Sequence, residues 1–390
     1  MSTVPDGARR ASLGTVAREW TRIGVTGFGG PPAHIVLLRQ LVVQRRGWLT
    51  AAELEDAISA TNLLPGPAST QLAIFCAGRV AGPVGAIVGG LGFIVPGVVM
   101  ILALSVLFLG PSPPRWALGA GAGAGAAVAA VAVNAGLGLL GPSWKRVAGA
   151  RGRRMRWLAY ALLGGASAAL AGPYLVLVLI ACGLVELGVR TRVDAAHLHA
   201  GVIVAPLLAL VTAGGFGALA WVAFKVGALS YGGGFVIIPL IQGDAVHVYH
   251  WMTASQFLNA VALGQITPGP VVATVAAVGY AAHGIAGGVF AAVVAFVPSF
   301  TFILLGAARF ERLRSDTRAR AFLDGSGPAA IGAILGAAIP LAGALHETWQ
   351  LILLGVAAVA LLALRAPVVP TLLGSALVGV VVALAGGPLP

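Results

Sequence analysis

The sequence predicts an all-α fold: a polytopic integral membrane helical bundle with two inverted-topology repeats and broken half-helices. Three observations predict it. Of 390 residues, 58% are hydrophobic and 9% charged, with mean hydropathy +0.96, whereas soluble domains carry about 25% charged residues. Apolar stretches approaching the length of a membrane span recur along the whole chain. Finally, segment 24–67 returns as 227–270 in one register, with Trp48 matching Trp251 and Pro65-Gly66-Pro67 matching Pro268-Gly269-Pro270 (251 − 48 = 268 − 65 = 203).

The apolar stretches are 84–109, 116–140, 157–171, 174–187, 201–211, 284–306, 326–345, 351–364 and 368–385. With the shorter glycine-rich pieces between them they predict roughly 11–13 membrane segments. Lipid offers no hydrogen-bond partner, so these are helices, and no alternating pattern of about ten residues argues for a barrel. Residues 1–18 lack the apolar core and cleavage site of a removable signal. The duplication divides the chain into two membrane repeats, 1–200 and 201–390. Within 121–130, alternating Gly and Ala read as a close-packing helix face.

The net charge of +12 fits basic cytoplasmic loops better than nucleic acid, so the expected partner is the lipid bilayer. Basic residues cluster at 9–18, 145–156 and 309–320. At the repeat offset the partner of 309–320 is 106–117, with Arg115 alone, and the partner of 145–156 is 348–359, with no charge. Equivalent loops therefore face opposite sides, which makes the repeats inverted. Cys76 and Cys182 stand apart in apolar stretches as packing residues, and no spacing suggests a metal or cofactor. Neither a P-loop nor a hydrolase or metalloprotease motif is present. The chain therefore reads as no enzyme and as not driven directly by ATP.

Each repeat carries two backbone breaks. One is Gly29-Gly30, matched by Gly232-Gly233; the other is the Pro-Gly-Pro pair. Proline removes a donor and clashes with the preceding turn, so helices stop before Pro65 and Pro268; Pro67 and Pro270 are suited to start new ones. Half-helix N-termini carry free N–H groups and partial positive charge, which suits an anion. A duplicated, interrupted membrane segment is the ground plan of many secondary transporters, with the site at the repeat interface.

Polar residues accompany the breaks. Asn62 and Gln265 each lie three residues before the proline, and Thr61, Ser69, Thr70, Thr267 and Thr274 add hydroxyls. Arg22 matches Lys225, and a cation on an apolar helix costs about 2.5–3.5 kcal/mol. The candidate substrate-binding set is thus Arg22, Gly29, Gly30, Asn62, Pro65, Gly66, Lys225, Gly232, Gly233, Gln265, Pro268 and Gly269. Glu53 and Asp56, matched by Gln256 and Asn259, are candidates for proton coupling, together with Arg39 and Arg79 of the first copy. The competing structural reading makes the glycines and prolines packing devices, Arg45 and Arg46 interfacial anchors beside Trp48, and the acids their partners.

Phe28-Gly29-Gly30-Pro31-x-Ala33-His34, Arg45-Arg46-x-Trp48-Leu49, Leu64-Pro65-Gly66-Pro67 and Phe93-x-x-Pro96-Gly97 resemble the first-half signature of the chromate ion transporter (CHR) superfamily. Lys225-Val226-Gly227-x-x-x-Tyr231-Gly232-Gly233-Gly234, Trp251-Met252 and Thr267-Pro268-Gly269-Pro270 resemble its second-half signature. The resemblance implies a long-chain, two-domain member with oppositely oriented halves that exports chromate across the cytoplasmic (inner) membrane and confers chromate resistance. Sulfate is a chemically similar oxyanion, and import or exchange of sulfate on the same scaffold is the alternative. A membrane enzyme or lipid-handling protein is a remoter one, and a homodimer is an open expectation. Where the family commonly has Thr-Gln before the first Pro-Gly-Pro, this chain has Thr61-Asn62: the amide is kept but shortened by one methylene, which leaves substrate preference open.

Overall fold

A computed structural model describes residues 11–62, 64–147, 151–170, 174–191, 215–230, 235–306 and 316–390. The described residues are helical throughout, without a strand. The first half holds α1 (Leu13–Thr26), α2 (Gly30–Arg39), α3 (Ala51–Thr61), α4 (Ala68–Leu109), α5 (Arg115–Arg146), α6 (Arg151–Leu170) and α7 (Leu175–Thr191). The second holds α8 (Gly215–Leu229), α9 (Ile237–Gln242), α10 (Ala254–Ile266), α11 (Thr274–Gly306), α12 (Thr317–Gly343), α13 (Thr348–Ala358) and α14 (Val368–Leu384). Among the described residues, four segments are long and apolar enough to cross a membrane: Ala68–Leu109, Arg115–Arg146, Val271–Gly306 and Thr317–Gly343.

The repeat extends to local geometry. α2 widens into a π-helical turn at Gln40–Arg45 and α9 into one at Gly243–Val248, again 203 residues apart (243 − 40). Thr50 and Thr253 each open the next helix with a capping box, closed by Glu53 and Gln256 at the third position. The 42-residue α4 breaks at Ala81 and Gly82, and α11 breaks likewise at His283 and Gly284. Each is therefore two helices in series, which the sequence had shown only as a single apolar stretch beginning at 84 or 284.

The two halves interlace. α1 packs on α4 and α8 on α11 within their own halves, while α4 meets α11 and α5 meets α12 across the centre. The hairpin α6–α7 packs on α12, and α13 and α14 pack on α5, so each half lends its last two helices to the other. Small residues permit the approach. A β-carbon on Gly332 would lie 1.8 Å from the Ala161 carbonyl oxygen, and one on Gly379 would lie 2.0 Å from that of Gly119. The predicted close-packing face, residues 121–130, is entirely buried. On the first-half hairpin the contact is also ionic. Buried Glu186 accepts from Arg156 at 2.7 and 3.1 Å, from Tyr160 at 3.1 Å and from Arg190 at 2.7 Å, and Arg190 reaches Asp324 of α12 at 2.8 Å.

Candidate functional site at the paired helix breaks

Each Pro-Gly-Pro turn docks on the first helix of the opposite half. Gly66 has φ +113° and Gly269 φ +94°, left-handed backbone that disfavours a side chain. A β-carbon at Gly66 would lie 3.0 Å from the carbonyl oxygen of Gly227 on α8, and one at Gly269 would lie 3.7 Å from that of Gly24 on α1. Gly24 and Gly227 are themselves repeat partners (227 − 24 = 203), so the contact is reciprocal, as a two-fold relation between halves requires. Gly97 repeats the pattern: its β-carbon would sit 2.6 Å from the Pro268 carbonyl.

The first-half break at Gly29-Gly30 joins the second Pro-Gly-Pro. The Gly269 N–H donates to the Gly27 carbonyl at 3.1 Å. That carbonyl also takes Nε2–H of buried His34 at 2.9 Å, which leaves Nδ1 to accept from the Ser69 hydroxyl at 3.3 Å. His34 thus ties the first break to the start of α4. Gly232 and Gly233 lie outside the described residues.

Polar side chains collect around Gly66. Gln71 Nε2 donates to the Pro65 carbonyl at 2.7 Å, and Ser299 Oγ of α11 lies 3.7 Å from the β-position of Gly66. The Gln71 Oε1, Thr70 Oγ1 and Ser299 Oγ atoms are buried without a hydrogen-bond partner among the described residues, as is Gln265 Nε2 in the other half. Buried polar atoms without partners are rare, and at a site they call for water or ligand. Of the five hydroxyls read from the sequence, Thr61, Thr267 and Thr274 are spent on carbonyls of their own turns, and Ser69 faces His34. Thr70 keeps a free oxygen. Gln71 and Ser299 were not nominated from the sequence: Gln71 matches Thr274 (274 − 71 = 203), but Ser299, matched by Pro96, lies far along α11 and only the fold brings the two beside Gly66.

The matched cations part company. Arg22 is exposed on the outer side of α1, without an ion-pair partner among the described residues, so it does not join the buried centre. Lys225 is buried, bonds buried Asp244 of the π-turn after α9, and lies 5.5 Å from the Trp221 ring centroid. Leu41 stands where Asp244 does in the other half. Asp244 was missed because its partner sits 19 residues away on another helix.

The coupling candidates have structural employment. Glu53 caps α3 through the Thr50 N–H at 2.8 Å and pairs with Arg79 at 3.2 Å. The Thr50 backbone donor holds its carboxyl below the usual range. Arg39 pairs with Glu55. Asp56 is exposed on the same helix. The competing structural reading paired Arg45 and Arg46 with the acids of α3; in the structure they converge on buried Glu19 of α1, Arg46 lying 5.5 Å from the Trp48 ring centroid.

Asn62, at the end of α3, borders a cavity of about 520 Å³ between α3, the last turns of α5 and the first half of α12. Leu139, Arg146, Arg320, Leu323 and Gly327 also line it. Gln265, its repeat partner, is buried.

Long apolar helices, a duplicated and interlaced chain, and paired breaks around a buried polar centre define a multi-pass α-helical membrane protein. Among such proteins, the chain belongs to the chromate transporter family, whose model matches residues 14–187 and 217–380. It is similar to the chromate transport protein of Cupriavidus metallidurans, at 33% identity over 345 residues, covering 85% of this chain and 83% of that one. It is also similar to the chromate transport protein of Pseudomonas aeruginosa (32%, covering 83% and 80%) and the probable chromate transport protein of Synechococcus elongatus (27%, covering 85% and 84%). No solved structure matches it.

Proposed function

We propose that this protein is a carrier that exports chromate across the cytoplasmic membrane and so confers chromate resistance. The observation that carries the reading is the reciprocal docking of Gly66 on Gly227 and Gly269 on Gly24, which sets helix-starting turns from both halves into one core. Chromate is a tetrahedral dianion with four acceptor oxygens. The N-terminal start of α4 and the Thr70 and Ser299 hydroxyls, unpartnered among the described residues, are donors of the kind it needs, while Gln71 Nε2 is held by the Pro65 carbonyl. Few cations suit a carrier, since the ion must also leave; the buried Lys225 is neutralised by Asp244. With the cytoplasm negative, expulsion is favoured by about 2.3 kcal/mol per charge per 100 mV, so the membrane potential can drive a dianion outward.

Radiolabelled chromate uptake into inverted membrane vesicles tests this. Vesicles bearing the chain are expected to accumulate chromate with sulfate as a competitor, and cells expressing it to retain less chromate and survive more. Sulfate uptake without chromate uptake would transfer the reading to a sulfate carrier.

A further inference from the structure

The cavity at Asn62 has a counterpart that is filled. On α5, α10 lies across Gly121 and Gly125: a β-carbon on Gly121 would sit 2.7 Å from Asn259 Nδ2, and one on Gly125 would sit 3.0 Å from the Leu258 Cβ. The register between α5 and α12 is set independently by their other neighbours. Gly123 packs on Ser375 and Gly379 of α14, and Gly325 packs on Cys182 and Glu186 of α7; that gives a shift of 202 (325 − 123). By the same shift Gly121 and Gly125 become Leu323 and Gly327, two residues that line the cavity. The open space is therefore the berth on α12 that α3 would occupy if it sat as α10 does. Instead α3 packs chiefly against α4 and stands off α12.

The mouth of this space is charged. Arg146 ends α5 and Arg320 lies in the first turn of α12; both are exposed, with no ion pair among the described residues. Asp324, also on the wall, is paired with Arg190 at 2.8 Å. Both arginines belong to the basic stretches 145–156 and 309–320, which the positive-inside rule puts in the cytoplasm. Two guanidiniums at a low-dielectric mouth concentrate anions, and each presents a fork suited to two oxygens of a tetrahedral oxyanion.

Building on the transport reading, we propose that this cavity is the cytoplasmic entry chamber for the oxyanion. Arg146 and Arg320 receive the dianion, and Asn62 stands between them and Pro65-Gly66-Pro67. The chain as it stands is open on this side and closed at the matching berth of the other half, where α10 fills the space.

Two arms test the proposal in inverted vesicles, whose cytoplasmic face is outward. In the first, Arg146→Gln and Arg320→Gln each raise the KM for chromate about fivefold to tenfold with little change in kcat, while Arg→Lys at either position recovers most of the affinity. An unchanged KM in the double Gln variant, at normal protein level, overturns the proposal. The second arm reads the chamber without transport. Leu323→Cys is labelled by a membrane-impermeant maleimide at least tenfold faster than Val128→Cys, on the buried face of α5, and sulfate slows the labelling unless both arginines are Gln. Equal labelling, or no protection by sulfate, overturns the chamber. Absence of chromate uptake by the unmodified chain, with labelling and protection intact, would sink the transport reading and leave the chamber standing.

Discussion

α3 and α10 are copies of one helix that lead into copies of one turn, yet they live in different surroundings. Both begin with a Thr capping box and end before Pro-Gly-Pro. From Phe257 to Gln265 every residue of α10 is buried, whereas α3 exposes Glu55, Asp56 and Asn62 and borders a cavity. The turns that follow differ in the same sense. The three atoms nearest a β-carbon on Gly66 include the Gln71 amide and the Ser299 hydroxyl beside the Gly227 carbonyl, whereas the three nearest one on Gly269 are all backbone, of Gly97, Phe93 and Gly24. Two equal halves related by a two-fold axis would have equal surroundings. On the entry-chamber proposal, one half has closed on its berth while the other stands open, the asymmetry that a carrier with inverted repeats would use to alternate access.

The sharpest way to break the comparison is at the reciprocal contacts. A β-carbon on Gly227 would lie 1.9 Å from the Ala295 carbonyl oxygen, a rigid backbone group. Gly227→Ala is expected to cost about 3 kcal/mol or more and to remove most folded protein from detergent extracts, read by gel filtration and thermal melting. Gly66→Ala is expected to cost about 1–3 kcal/mol through its left-handed backbone (φ +113°), since the nearest atom to the new β-carbon is the movable Gln71 side chain at 2.7 Å and the Gly227 carbonyl is at 3.0 Å. It should also abolish transport, because the displaced Gln71 amide no longer holds the Pro65 carbonyl of the turn.

The next largest effect concerns the matched cations. Lys225→Ala alone leaves Asp244 buried and unpaired, a loss of about 3–5 kcal/mol. The double change Lys225→Met with Asp244→Leu is expected to restore the melting temperature, since apolar replacements of a buried pair are often neutral. Recovery of chromate uptake along with stability would assign the pair to architecture, whereas a stable but inactive double variant would assign Lys225 to the pathway. Arg22→Gln, on the exposed side of α1, should change stability by about 0.5 kcal/mol or less.

The smallest effect is expected at the caps. Gln256 closes its capping box without a charge, so Glu53→Gln should cost about 1 kcal/mol or less and leave uptake intact. A large fall in uptake at normal stability would instead return Glu53 to proton coupling. The Thr50 N–H lowers its pKa, so the carboxylate's capping contribution is complete at neutral pH and is lost only as pH falls through that lowered value.

The legible part of this protein was its chain-local chemistry. Glycine and proline impose breaks wherever they fall, and a repeated Trp and Pro-Gly-Pro in one register announce duplication before any contact is known. The polar centre was less legible. Thr70 could be nominated from its position after the turn, but Gln71 and Ser299 gain meaning only where α4 and α11 cross. Arg22 and Lys225 looked equivalent because sequence spacing ignores which side of a helix is covered. Glu53 was legible as an acid near the break, but its capping bond to the Thr50 N–H, which Gln256 repeats, shows only in the structure.

The sequence by itself determined the membrane-helix class, the duplication, the breaks at Gly29-Gly30 and at both Pro-Gly-Pro turns, and the membership of a chromate transporter family. These follow from composition, local backbone restriction and a register kept over both halves. Only the tertiary structure decided that the halves interlace, that Lys225 finds Asp244, and that one berth is filled while its twin is hollow. Those outcomes depend on helices far apart in the chain meeting in space. Two nearly identical segments cannot encode, within themselves, which of them will be the one that closes.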